Sequence, residues 1–144
     1  MAITQLSAFL ENTPGTLYDA VGSITKAGVN IRALSVADTK DFGILRIIVS
    51  DIARAKEALS EDTVLIETPV IAVEMSDQAG ALKHILDILK EDNINIEYVY
   101  AFTGAVKGSA YVVLRVDDNE EAETILAKNG IKTLSDADMT GFLA

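Results

Sequence analysis

The chain has no cysteine. That excludes disulfides and thiolate chemistry, and with them a small secreted scaffold held by bridges. It has a single histidine, His84. No His-Glu-x-x-His or similar ligand spacing is therefore present, and a metal centre has no support. His84 stands beside Lys83 and near Asp87 on the polar side of a predicted helix, where a solvated residue is the ordinary expectation. Positive charge is also scarce: 12 basic residues face 22 acidic ones, for a net charge of -10. This opposes the phosphate contacts that dominate nucleic-acid affinity, and attraction to an anionic membrane surface as well. No uninterrupted apolar run reaches the length of a membrane span. No basic region precedes a long apolar run at the N-terminus, as it would in a signal peptide. A cytoplasmic protein is expected, with no nucleic-acid or membrane partner. Signatures of catalysis are missing too. There is no Gly-x-Ser-x-Gly or Ser/His/Asp arrangement. The loop from Gly104 to Gly108 lacks the Lys-Ser/Thr ending of a phosphate loop and does not open a helix. No catalytic residue and no cofactor is expected.

What the chain does have is a repeat. Within its 144 residues, Glu11-Asn12-Thr13-Pro14-Gly15-Thr16-Leu17 returns as Ser76-Asp77-Gln78-Ala79-Gly80-Ala81-Leu82, with Gly15 and Gly80 65 positions apart. An apolar run precedes each copy and an amphipathic run follows it. At the same offset, Ala27-Gly28-Val29-Asn30-Ile31 becomes Asp92-Asn93-Ile94-Asn95-Ile96. A repeat governs the whole reading of a fold, and this one divides the chain into halves of similar size, residues 1–68 and 69–144. With 49% hydrophobic and 24% charged residues, both halves have ordinary globular composition.

Periodicity then orders the elements. Residues 3–10 alternate as a strand, with Leu6, Ala8 and Leu10 facing one way and Gln5, Ser7 and Phe9 the other. Thr13 and Pro14 suit a helix start, as cap and first helical residue. A helix to about residue 27 would bury Leu17, Val21 and Ile24 and stop at Gly28. Strands follow over 30–37 and 43–49. A helix over 52–59 is capped by Asp51, with Ala55 and Leu59 inward. A fourth strand covers 64–68, and Pro69 separates the halves. The order repeats as strand 70–75, helix 80–91, strands 94–102 and 110–116, helix 120–129 and strand 131–134. Asp51 matches Asp118, so two residues are inserted near Gly104 to Gly108. The tail 136–144 has no counterpart and is expected to form at most one helical turn.

Each half is thus β-α-β-β-α-β, a ferredoxin-like α+β unit: an antiparallel sheet with both helices on one face. The other sheet face carries apolar residues, Ile44 and Ile48 in one half and Tyr98, Tyr100 and Phe102 in the other. A face wetted by solvent would alternate more cleanly. A homodimer or larger oligomer is therefore expected, with face-to-face sheet contact the favoured route. Aromatic strands also stack bases on RNA-binding sheets, but the acidic balance favours packing.

The turn pair and the asparagine pair are the candidate chemistry. Asn12 offers a carbonyl and an amide together, which suits a zwitterion. The helix start after Gly15 adds free N–H groups and a positive dipole end for a carboxylate. The same residues also serve plain turns and helix exits.

At this point the chain resembles a known family. Phe9-Leu10-Glu11-Asn12-Thr13-Pro14-Gly15-Thr16-Leu17, followed by Gly28-Val29-Asn30-Ile31, is similar to the signature of ACT domains, small amino-acid-sensing regulatory modules. The similarity is good from Gln5 to Glu67 and looser from Val70 to Ser135. The resemblance implies two ACT modules side by side in one eight-stranded sheet, with no catalytic domain attached. It implies a small amino acid bound between modules, held by the turn of one and the strand-entry asparagine of its neighbour. The positions are Asn12, Thr13, Pro14 and Gly15 with Asn30 and Ile31 in the first half, and Asp77 and Gly80 with Asn95 and Ile96 in the second. Crossed sites follow, Asn12 with Asn95 and Asp77 with Asn30. Asp77 departs from the pattern: it suits an ammonium and repels a carboxylate. Two residues before the turn stand Leu10 and Met75, which favour an apolar effector side chain. The implied function is non-catalytic regulation of a partner, such as a metabolic enzyme. Two other readings compete. One is a structural adaptor whose sites are vestigial. The other is a ferredoxin-like hydrolase, which needs an arginine that neither turn contains.

Overall fold

The computed structural model describes residues 2–39, 41–61, 63–104 and 107–143. Two sequence features therefore fall partly outside the described residues: Lys40 in the turn 38–42, and positions 105 and 106 in the loop of the two-residue insertion. The elements run β1 (Ile3–Glu11), α1 (Thr16–Lys26), β2 (Ile31–Asp38), β3 (Phe42–Val49), α2 (Ile52–Leu59), β4 (Val64–Ser76), α3 (Ala81–Glu91), β5 (Ile96–Ala101), β6 (Ser109–Val116), α4 (Asn119–Lys128), β7 (Thr133–Leu134) and α5 (Asp136–Leu143). They form two compact units, Thr4–Thr68 and Pro69–Phe142.

In the first unit the strand order is β2-β3-β1-β4. β3 pairs antiparallel with both β1 and β2, with Leu6 opposite Ile47 and Leu34 opposite Ile47. The period of two sends Leu6, Ala8, Leu10, Leu45, Ile47 and Val49 to one face. There they pack with Ala20 and Ile24 of α1 and Ala55 and Leu59 of α2. Asp51 caps α2 as expected, its carboxylate accepting the Arg54 N–H at 3.0 Å. The α1 stripe differs from expectation. Ala20 and Ile24 are buried, whereas Leu17 is 40% exposed. The helix start differs too: Gly15, not Thr13, is the N-terminal boundary residue, and no side chain caps the helix.

The second unit repeats the plan with β4, β6 and β5 in order and β7 on the far side of β4. Ile71 lies opposite Leu114 and Val73 opposite Val112, and these four pack with Ile85 and Leu89 of α3 and Ala122 and Leu126 of α4. Asp118 caps α4 by accepting the Glu121 N–H at 3.0 Å. Both units are thus ferredoxin-like α+β modules with helices on one sheet face, as the periodicity predicts.

Two expectations change. Pro69 does not end a strand: β4 is continuous across it. Proline brings no N–H to a ladder. Its carbonyl is instead taken by Arg115 Nη1 at 3.1 Å and Asn119 Nδ2 at 3.2 Å. The tail is also longer than one turn. Ser135 and Asp138 bond reciprocally at its start, with the Asp138 carboxylate accepting from the Ser135 N–H at 2.9 Å and Ser135 Oγ accepting from the Asp138 N–H at 3.2 Å. This is a capping box, and it launches a helix. The sheet faces away from the helices carry buried residues too, in keeping with their apolar pattern. Gln5, Ile48, Ala72 and Val113 lie on them and are at most 3% exposed, while Tyr98 and Tyr100 are half-buried and stacked with centroids 6.3 Å apart. Of the apolar residues on these faces, Ile48 is buried, whereas Ile44, Tyr98, Tyr100 and Phe102 keep part of their surface accessible.

Candidate functional site

The two repeated turns have nearly the same backbone. Gly15 has φ 87° and ψ -13°, and Gly80 has φ 89° and ψ -9°. This left-handed conformation is costly for any side chain, which is why glycine recurs there. The bonds around each turn match as well. The Thr13 N–H donates to the Glu11 carbonyl at 2.9 Å, and the Gln78 N–H to the Ser76 carbonyl at 2.9 Å. The Asp19 N–H reaches the Gly15 carbonyl at 2.9 Å, and the His84 N–H the Gly80 carbonyl at 3.0 Å. Neither α1 nor α3 has a side-chain cap. The Thr16 and Ala81 N–H groups donate to the Thr13 and Gln78 carbonyls at 3.3 and 3.2 Å. Among the described residues the N–H groups of Leu17 and Tyr18, and of Leu82 and Lys83, are therefore the ones that no side chain caps and that could meet a carboxylate.

Asn12, Thr13, Pro14 and Gly15 are all exposed in the first turn, and so are Asp77 and Gly80 in the second. Thr13 and Thr16 share a hydroxyl contact at 2.8 Å that stiffens the first turn. The second turn is tied differently, by the Asp77 N–H donating to the Gly108 carbonyl at 3.1 Å. Leu10 and Met75 face the helix-side cores. Leu10 also lines a cleft of about 460 Å³ in the first unit, together with Thr16, Asp19, Ser23 and Leu59. Glu11 and Glu61 complete its rim, so among the described residues three carboxylates and no cation line it.

The asparagines sit elsewhere. Asn30 and Asn95 are exposed at the helix exits, just after Gly28 with φ 73° and Asn93 with φ 56°. Ile31 and Ile96 turn back into the respective cores. Asn95 and Ile96 line an open groove of about 440 Å³ with Asp87 and Lys90. Among the described residues, the side-chain amides of Asn12, Asn30 and Asn95 bond to no other protein group.

Each module holds its own turn and its own asparagine at opposite ends of its sheet. Glu11 pairs with Phe42, the first residue of β3, whereas Ile31 pairs with Val49, the last. β3 has 8 residues, a length of about 23 Å at ~3.3 Å per residue. In the second unit Ser76 pairs with Ser109 and Ile96 with Val116, again the two ends of one strand. No small amino acid bridges that distance, so a single module cannot bring both groups to one ligand.

Sequence reasoning missed two residues. Ser50 and Asp117 hold the asparagine backbones, across 20 and 22 positions of sequence. Their signal was present in the aligned pairs Ser50-Asp51 and Asp117-Asp118. His84 is exposed, and its neighbour Lys83 pairs with Asp87 at 2.8 Å. That ammonium holds the Asp87 carboxyl below its ordinary range.

A family model described as an ACT domain pair matches residues 1–143. A protein of known structure from Bacteroides thetaiotaomicron is 33% identical, over 97% of this chain and 96% of that one, with a TM-score of 0.88. The regulatory subunit of aspartate kinase from Thermus thermophilus, in its ligand-free form, is 13% identical over 87% of this chain and 90% of its own, with a TM-score of 0.64. Its counterpart from Thermus flavus is 15% identical over 88% and 90%, with a TM-score of 0.59. At these identities the likeness to the kinase subunits is one of fold. No curated protein matches the chain. No helix among the described residues is long and apolar enough to cross a membrane.

Proposed function

The chain belongs to the ACT family as a pair of ACT domains, and on that premise we propose that it is a non-catalytic regulatory protein that binds a small amino acid. The effector's carboxylate meets the uncapped N–H groups that open the helix after the turn. The Asn12 amide serves its polar backbone groups. A strand-entry asparagine from a different module completes the site, because one module cannot supply both groups. The observation that carries this reading is the turn itself: the same glycine conformation and the same uncapped helix start occur in both modules.

Binding acts by population shift. An effector that prefers one arrangement of modules raises the share of that arrangement, and a partner such as a metabolic enzyme reads the change. Assembly with a second copy belongs to the same proposal. Among the described residues β2 and β5 each pair with one strand only, and such edges invite a further strand. A cytoplasmic location fits these roles.

The test is a thermal-shift screen of the twenty standard amino acids. A binder at one hundred times its dissociation constant adds about 2.7 kcal/mol of stability. One specific feature favours the competing view of an adaptor with vestigial sites: Asp77 stands where Asn12 does. The adaptor predicts no stabilisation by any amino acid.

A further inference from the structure

Each strand-entry asparagine is held by a ring of two hydrogen bonds. In the first unit the Asn30 N–H donates to Ser50 Oγ at 2.9 Å, and the Ser50 N–H donates back to the Asn30 carbonyl at 2.9 Å. In the second unit the Asn95 N–H donates to Asp117 Oδ1 at 3.2 Å, and the Asp117 N–H donates back to the Asn95 carbonyl at 3.2 Å. Both main-chain groups of each asparagine are thereby used, and only the side-chain amide is left to face solvent. The holder is itself anchored. It immediately precedes Asp51 or Asp118, the caps of α2 and α4, and directly follows the last residue of β3 or β6.

The two modules reach this geometry with different residues. Serine and aspartate share a short side chain ending in an acceptor oxygen, and little else. One is neutral and the other charged. What the two modules have in common at this position is therefore the acceptor, not the charge. A loop merely closing between two strands is satisfied by the backbone bond alone. The side-chain bond adds a second tether, which fixes the peptide before the asparagine and so the direction in which its amide leaves the chain.

We propose that Ser50 and Asp117 are positioning residues of the effector site, each aiming the amide of its asparagine at the ligand. The proposal rests on the amino-acid-binding reading above. It is tested with Asp117→Ala, Asp117→Ser and Asn95→Ala in the full chain, each titrated with the amino acid found by the screen. Ser50→Ala and Asn30→Ala form the parallel set. Where the asparagine variant weakens binding, its holder's alanine variant weakens it about tenfold as well, the effect of one lost bond to a charged ligand. The double variant is no weaker than the asparagine variant alone, because both remove one interaction. Asp117→Ser restores affinity, although it lacks the charge, since it restores the acceptor. An alanine variant that lowers thermal stability but leaves affinity unchanged overturns the proposal, as does a serine variant that behaves like alanine. If the wild-type chain binds none of the twenty amino acids, the binding reading itself fails. Amide exchange then decides the positioning claim. Faster exchange at Asn95 in Asp117→Ala than in wild type and Asp117→Ser supports it, and equal rates in all three overturn it.

Discussion

The two turns of this chain share a backbone and differ in charge. Gly15 and Gly80 agree within a few degrees, and the bonds flanking them agree within about a tenth of an ångström, far inside the usual scatter of such bonds. Yet Asn12 is an amide and Asp77 a carboxylate. The same contrast recurs at the asparagine holders, where Ser50 is neutral and Asp117 charged. The lesson is that the conformation of these turns is set by glycine and by local bonding, and leaves the residue at positions 12 and 77 free to vary. Folding requires the first set of features, and under the proposed function recognition depends on the second.

The largest expected effect is on binding. Asn12→Asp makes the first turn resemble the second and should weaken effector binding about ten- to a hundredfold, because a carboxylate now faces the effector's own. Isothermal titration measures it directly. Unchanged affinity would mean that Asn12 does not touch the ligand.

Next comes the backbone shared by both turns. Gly15→Ala and Gly80→Ala should each destabilise by about 1–2 kcal/mol, the cost of a side chain in the left-handed region. The cause is conformational and not steric, since nothing lies within 4 Å of a Cβ built at either glycine. Denaturant unfolding of the two variants should give similar losses. A loss at one and none at the other would show that the turns are less alike than their dihedral angles.

The helix caps are a smaller matched pair. Asp51→Ala and Asp118→Ala should each cost about 1 kcal/mol, by the same measurement. Unequal losses would locate a further role for the residue that costs more.

The smallest effect lies in the tail, which only one module has. The Asp138 carboxyl sits below its ordinary range, chiefly because it accepts from the Ser135 backbone N–H. A lowered folded pKa contributes stability that is fully present above the unfolded value, about 3.9, and is lost as pH falls through the folded value. α5 should therefore hold at neutral pH and loosen below about pH 4. In Asp138→Asn this acid-dependent step should be missing from amide exchange over 136–143.

Much of the fold was legible because its determinants are local. Strand periodicity placed Leu6, Ala8 and Leu10 in the core, and the recurrence of glycine located both turns. The cap Asp51 was readable from the sequence, and the repeat offset pointed to Asp118 as its counterpart. What escaped depends on partners distant in sequence. Continuity of β4 through Pro69 relies on Arg115 and Asn119, 46 and 50 positions away. The asparagine holders are likewise tertiary. Burial of Ile48 and Val113 on the outer sheet faces cannot be read from alternation, which shows that a face is apolar but not what covers it. Of the candidate site, the residues were visible and their separation was not. Only strand register reveals that Asn12 and Asn30 lie at opposite ends of one sheet.

The central claim is that Asn12 and Asp77, on matching backbones, decide which turn takes an amino acid. Isothermal titration of Asp77→Asn against wild type tests it most directly. One tight site per chain is expected in wild type, and a second, of comparable affinity, in the variant. A wild-type chain with two equal sites, or a variant that gains none, would contradict it.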